Sequence, residues 1–274
     1  MLVDYHVHSE FSDDSTYPME EVVLDAIDKG LDEICFTDHV DYGVKKDHDD
    51  HPLHVNTRFL ANVDYERYFP LIEKLQAKYG DKIRIKKGLE YGIQVHTIKE
   101  YNDLFAKYPL DFAILSVHQV DDKEFFLEDY QKGKSQKEYN EGYYKEIYNV
   151  AKNFKNYSVL GHLDHIVRYD RLGPYPFDKI KDLVAEILKV AIKDENGIEL
   201  NTSFHRYALK DSTPSKDILL LYKDLGGRIL TIGSDSHKKE HLGAYIKEGF
   251  SYLKELGFKE YCTFDKMQAI FHEL

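Results

Sequence analysis

The sequence predicts an α/β fold made of parallel βα units, closed into a barrel. Three observations carry that expectation. Seven short apolar runs alternate with segments whose apolar residues recur every three or four positions. Strand-like and helix-like segments that alternate, rather than cluster, require parallel pairing through helical crossovers. A chain of 274 residues also has room for one large domain of this kind, spanning residues 1–274. An open doubly wound sheet satisfies the same pattern, so periodicity alone leaves the closure undecided.

The strand-like runs are 2–6, 33–37, 83–89, 112–117, 158–161, 197–200 and 228–232. Between them, residues 19–29 place Val22, Val23, Ala26 and Ile27 on one helical face, with Pro18 before the start and Gly30 past the end. Residues 65–79 repeat the pattern and close at Gly80. Residues 178–193 carry Ile180, Leu183, Val184, Ile187, Leu188 and Ala191, with Asp178 as the expected cap. A last helix is expected over 242–256, ended by Gly257.

Two connections, 40–64 and 119–134, are long for this architecture. Both follow strands, so both should emerge on the C-terminal face, where such barrels place their chemistry. The alternative is a pair of disordered surface loops. The first contains Asp47, His48, Asp49, Asp50 and His51, which can bind metal adventitiously without any function.

Composition narrows the function classes. Hydrophobic residues make up 42% and charged residues 31%, the balance of an ordinary globular protein. No run reaches the roughly 18 apolar residues of a membrane span. The start, Met1-Leu2-Val3-Asp4-Tyr5-His6, has neither the basic nor the apolar region of a secretory leader. Cys35 and Cys262 are the only cysteines and form no CxxC pair, so free thiols and a cytoplasmic location are expected. A net charge of −12 without a basic stripe argues against nucleic acid as the partner.

His6-Val7-His8 is the most visible motif, because alternate residues of a strand point the same way. Alone it is weak. With 14 histidines in 274 residues, chance supplies about 0.7 such pairs. Position makes the case. Strand one ends in His6 and His8, strand two in Asp38-His39, and strand three in Glu90. Strand four ends in His118, strand five in His162 and Asp164, and the seventh in Asp235 and His237. Six of seven strands thus deliver a histidine or a carboxylate to one rim, where strand ends converge. Burying so many ionisable groups without a cation is costly. Two or three divalent ions, zinc, manganese or iron, would meet that electrostatic demand. No DxDx[TV] motif, Cys-x5-Arg loop, GxSxG elbow or P-loop is present. A metal-activated water is left as the nucleophile.

The set His6-x-His8, Thr37-Asp38-His39, Gly88-Leu89-Glu90, Ser116-Val117-His118, Gly161-His162 and Asp235-Ser236-His237 resembles the PHP (polymerase and histidinol phosphatase) metallohydrolases. It runs in the family's order and looks most like the histidinol-phosphatase branch. The stretches 161–169, 199–202 and 231–237 support that likeness.

The resemblance implies a distorted (β/α)7 TIM-like barrel, in one domain, with a trinuclear centre. His6, His8, Glu90 and Asp235 would surround one ion, and Glu90 would bridge to a second held by His118 and His162. His39, His237 and an aspartate after strand one would hold the third. Asp13 and Asp14 compete for that place, and the phosphatase branch favours Asp14. Arg168 and Arg206 are the implied phosphate contacts, and Asp164 is a candidate for orienting a ligand or moving a proton. The implied activity is hydrolysis of L-histidinol phosphate to L-histidinol and phosphate, in histidine biosynthesis. A phosphatase for phosphotyrosine or another small phosphomonoester is one alternative, and a non-catalytic metal-binding accessory module is another.

Overall fold

The computed structural model describes residues 1–48 and 61–274. Its first half holds β1 (Val3–Val7), α1 (Met19–Asp28), β2 (Glu33–Phe36), the two-residue β3 (His39–Val40), α2 (Tyr65–Tyr79) and β4 (Arg84–Gly92). Next come α3 (Ile98–Lys107), β5 (Phe112–Ser116), a small ribbon of β6 (Gln119–Val120) and β7 (Lys123–Glu124), and α4 (Gln136–Asn153). The remainder is β8 (Val159–Leu160), α5 (Lys181–Lys193), β9 (Gly197–Asn201), α6 (Lys216–Asp224), β10 (Leu230–Gly233) and α7 (Ile246–Glu255). A hairpin of β11 (Glu260–Asp265) and β12 (Gln268–Glu273) ends the chain.

The seven expected strands are all present and pair in the order β1-β2-β4-β5-β8-β9-β10, every pair parallel. Strands covered on both faces need apolar runs rather than alternation, and β1, β5 and β9 are buried at every position. What decides between barrel and open sheet is the contact of the two outer strands. Val7 bridges Ser236 in parallel register, His8 N–H donates to Ser236 O at 2.8 Å, and Ser236 N–H donates to His6 O at 3.2 Å. The sheet therefore closes at its C-terminal rim, making a nearly closed seven-stranded barrel. At the opposite end the terminal hairpin, which periodicity did not anticipate, sets Phe264 against Phe112 with ring centroids 5.1 Å apart. The Phe264 N–H also donates to Tyr5 OH at 2.8 Å.

The helix boundaries differ from the sequence expectation in two places. Asp178 does not cap α5: it lies in a 3-10 turn, Phe177–Lys179, and the helix starts at Lys181 without a side-chain cap. The last helix starts at Ile246 rather than at 242, because Gly243 (φ 66°) and Tyr245 (φ 61°) adopt the left-handed conformation that breaks a right-handed helix. Gly30 (φ 73°) and Gly257 (φ 85°) do end their helices in that conformation. The start of α4 was legible but unread: Ser135 Oγ accepts from Glu138 N–H while Glu138 accepts from Ser135 N–H at 2.7 Å, a reciprocal cap. The 119–134 connection is not disordered, since it carries the β6–β7 ribbon. In the other long connection, Asp49, Asp50 and His51 lie outside the described residues. Among the described residues no helix is long and apolar enough to cross a membrane.

Gly233, at the end of β10, shows how tightly the rim is packed. A Cβ there would collide with His6 Cβ and stand 2.6 Å from Glu199 Oε1 and 2.9 Å from the backbone nitrogen of His6. Gly233→Ala should destabilise the fold by about 1–3 kcal/mol, the usual cost of overpacking. A urea melt with an unchanged midpoint would contradict this.

Candidate metal centre

The closed rim brings the predicted side chains together. Glu90, near the end of β4, lies at the centre and is fully buried. Its Oε2 faces His39 Nδ1 at 3.0 Å, His6 Nε2 at 3.2 Å and His8 Nε2 at 3.5 Å. Its Oε1 faces His162 Nε2 at 2.8 Å and His118 Nε2 at 3.2 Å. Asp235 Oδ1 stands 3.6 Å from His8 Nε2, 3.8 Å from His6 Nε2 and 3.6 Å from His237 Nδ1. Asp14 Oδ2 lies 3.0 Å from His237 Nε2 and 3.7 Å from His39 Nε2. All nine side chains expected at the centre are therefore gathered there. Asp13 is not among them, because its carboxylate meets Lys45 Nζ at 2.6 Å.

The donor set fits a group of divalent cations. His6 Nε2, His8 Nε2, His39 Nδ1, His237 Nε2 and Glu90 Oε2 are buried yet have no hydrogen-bond partner. Such atoms are rare in folded proteins unless something else satisfies them. Bonds of about 2.0–2.2 Å to one shared ion put neighbouring ligand atoms about 3.3 Å apart, the spacing found here. Four overlapping triads lie close enough for such sharing: His8/His39/His237, His6/His162/Asp235, His6/His8/Glu90 and His39/Glu90/His118.

The ligand-type side chains are held from behind. His6 Nδ1 is 2.6 Å from Glu199 Oε1, and Glu199 Oε2 accepts the backbone N–H of His162 at 3.0 Å. One carboxylate on β9 thus sets two imidazole positions. His118 Nδ1 is 2.8 Å from Asp41 Oδ1, and Asp41 in turn meets Lys45 Nζ at 2.7 Å. His8 Nδ1 meets Ser12 Oγ at 2.9 Å, and that hydroxyl donates to the buried Asp38 at 2.7 Å. Such partners fix the tautomer and ring orientation of a ligating histidine. Glu199, Asp41 and Ser12 were not singled out from the sequence as rim residues. Strand six was the one strand without an assigned rim side chain, and that gap was the available signal for Glu199.

The electrostatics follow from this crowding. Burial alone would raise the Glu90 carboxyl, yet the imidazoles of His6, His118 and His39 hold it well below the ordinary range. Asp235 is likewise held low against burial by His6, Arg168 and His237. Burial works against charge on His118, but the Glu90 and Asp41 carboxylates push it up to about 9. His8 moves the other way, because burial and the neighbouring imidazoles of His237, His39 and His6 all oppose its proton.

The three remaining candidates are placed differently. Arg168 Nη2 meets Asp235 Oδ2 at 3.1 Å and Ser203 Oγ at 2.6 Å, so its guanidinium borders the centre. Arg206 donates from Nη1 and Nη2 to backbone carbonyls, Ser234 O at 2.6 Å and Asp235 O at 2.7 Å. In that position it shapes the loop that carries Asp235. Asp164 touches none of the central side chains. Its Oδ2 accepts the Ser215 N–H at 2.8 Å, at the start of α6, and burial pushes its carboxyl up to about 7.

Comparison with known proteins identifies the family. The PHP domain description matches residues 4–203. The chain belongs to the PHP domain family. The histidinol-phosphatase of Lactococcus lactis is 34% identical over 97% of this PHP protein and 95% of its own length. A probable histidinol-phosphatase of Thermotoga maritima is 28% identical, covering 98% of both chains. The crystal structure of the Lactococcus lactis histidinol phosphate phosphatase, complexed with zinc, L-histidinol and phosphate, superposes with a TM-score of 0.83 over 98% of each chain. The distorted barrel expected of a PHP protein is therefore the fold observed.

Glu199→Gln keeps the size and the acceptor but removes the charge behind His6. It should weaken affinity for divalent metal by about 10–100-fold. A competition titration against a chromogenic chelator reads this directly, and an unchanged affinity would refute it. Asp164 supplies a pH signature. Its folded-state pKa is raised above the unfolded value, so the native protein binds the extra proton and its stability falls as pH rises from about 4 to about 7. Asp164→Asn should lose that slope. Parallel curves for the two proteins, in denaturant melts across this range, would count against it.

Proposed function

We propose that this chain is a metal-dependent phosphomonoesterase that hydrolyses L-histidinol phosphate to L-histidinol and phosphate. The observation that carries the reading is the buried Glu90 carboxylate, whose Oε2 faces the unpartnered nitrogens His6 Nε2, His8 Nε2 and His39 Nδ1 while Oε1 faces His118 and His162. The likeness to a histidinol phosphate phosphatase that holds zinc, L-histidinol and phosphate gives the substrate class.

We propose two or three divalent ions, zinc foremost. His6, His8, Glu90 and Asp235 would hold one, Glu90 with His118 and His162 a second, and His39, His237 and Asp14 a third. Such ions supply a water of lowered pKa and positive charge opposite the phosphoryl oxygens. The chain's own residues do the rest. Arg168, held by Asp235 and Ser203, keeps a planar donor group at the rim for the non-bridging oxygens of the phosphate. Arg206 holds the 234–235 backbone in place rather than reaching outward. Glu199 and Asp41 keep His6 and His118 in one ring orientation, so charge is organised before substrate arrives. The substrate's cationic amine and imidazole suit a chain of net charge −12. Residues 1–274 would act as one unit, in the cytoplasm, where the buried thiols of Cys35 and Cys262 stay reduced.

Metal-loaded protein should turn over L-histidinol phosphate with a kcat/KM about 10²-fold or more above that for phosphotyrosine. Glu90→Ala should lower turnover by about 10³-fold, and Arg168→Ala by about 10²-fold, with circular dichroism unchanged. Equal turnover of the two substrates would defeat the substrate assignment. Absence of phosphate release from any phosphomonoester would defeat the enzyme assignment.

A further inference from the structure

Arg168 borders a second space besides the metal centre. A cavity of about 390 Å³ lies among Asp164, Arg168, Tyr175 and the apolar side chains of Tyr144, Ile166, Ile180 and Ile218. That volume falls in the range of small-molecule sites, about 300–1,000 Å³. None of the nine side chains gathered at the metal centre lines it, so it is a separate compartment that shares one wall with the centre.

Its polar groups divide into satisfied and unsatisfied ones. Asp170 accepts from Tyr139 OH at 2.7 Å, Asn140 Nδ2 at 2.9 Å and Gln136 Nε2 at 3.1 Å. Asp211 accepts the backbone N–H groups of Ser212 at 2.8 Å and Lys216 at 3.2 Å. By contrast Asp164 Oδ1, Arg168 Nε and Tyr175 OH are buried without any partner. Asp164 is 7% exposed, Tyr175 9%, and the Arg168 side chain 4%. Three unpaired groups on residues that line one cavity are costly to leave unmet. They comprise a carboxylate acceptor, a guanidinium donor and a hydroxyl that can do either.

The geometry points to a second small-molecule site here, for a short amino alcohol. The ammonium group would donate to Asp164, the hydroxyl oxygen would accept from the Arg168 Nε–H, and Tyr175 OH would pair with either. The apolar body would lie against Ile166, Ile180 and Ile218. The same guanidinium holds Asp235 through Nη2 at 3.1 Å. An occupant that takes Nε therefore acts on a group bordering the metal centre, and binding changes turnover. The site is argued from its own atoms. Only its consequence, sensitivity to an amino-alcohol product, rests on the proposed function.

The test uses L-valinol, which carries no imidazole, with metal-loaded protein at pH 8 and inorganic phosphate in excess to fill the metal centre. Saturation-transfer NMR should show saturable binding that phosphate does not displace. 3-Methyl-2-butylammonium, which lacks only the hydroxyl, should bind about fivefold more weakly, and Asp164→Asn should bind L-valinol about tenfold more weakly. Leu209→Trp, which fills the cavity from its wall, should abolish binding while leaving basal turnover in place. Tyr175→Phe is the milder check, with binding reduced a few-fold in a protein of unchanged thermal midpoint. No saturable binding, displacement by phosphate, or equal binding by wild type and all three variants would overturn the site. If L-valinol binds as described and histidinol phosphate is not hydrolysed, the site stands and the phosphatase reading fails.

Discussion

A carboxylate removed from water must find compensating positive charge, and the Glu90 side chain is the place where this chain meets that demand most sharply. It is fully buried, its Oε1 accepts one neutral hydrogen bond, from Ser116 Oγ at 2.7 Å, and imidazoles surround the rest. His6, His8, His39, His118 and His162 reach it from other strand ends. An isolated charge in such a place would be neutralised or expelled. Shared cations would resolve the conflict, and they would constrain the whole rim, because every contributing strand would have to end at the same height. The parallel registers from β1 through β10, together with the Val7–Ser236 bridge, provide that alignment.

The next layer outward keeps the imidazoles where this demand places them. Glu199 serves His6 and the His162 backbone at once, Asp41 serves His118, and Ser12 links His8 to Asp38. These partners are themselves anchored: Asn201 donates to Glu199 at 3.2 Å, and Lys45 pairs with both Asp41 and Asp13. A centre supported in this way is organised before anything binds, which is how fixed charge contributes most to stabilising a transition state. Arg168 stands at the boundary of this arrangement, with one nitrogen on Asp235 and its side chain lining a separate cavity.

Much of the fold was legible because local rules and burial agreed. Each of the seven apolar runs became a strand within a residue or two of its expected bounds, except that β4 ran on through the rim to Gly92. The 65–79 helix is reproduced with its expected ends. Where tertiary contacts override local preference, reading failed. Asp178 has the chemistry of a cap but sits in a 3-10 turn, and residues 242–245 follow a helical apolar pattern while Gly243 and Tyr245 take left-handed backbone. The terminal hairpin escaped notice because its role, packing Phe264 under β1 and β5, is visible only once those strands have been brought together.

What the sequence by itself determined was the kind of chemistry: histidines and carboxylates at strand ends, in an order shared with one family, on a chain that alternates strand and helix. Those are local properties, set by residue type and spacing. The tertiary structure alone decided closure, since only the meeting of β1 with β10 separates a barrel from an open sheet. It also set Asp14 beside His237 and His39, while Lys45 holds Asp13 apart from them. It turned Arg206 toward backbone carbonyls and left Arg168 at the centre. The scattered side chains had no mutual distances until the rim closed, and distance is what separates a ligand from a neighbour.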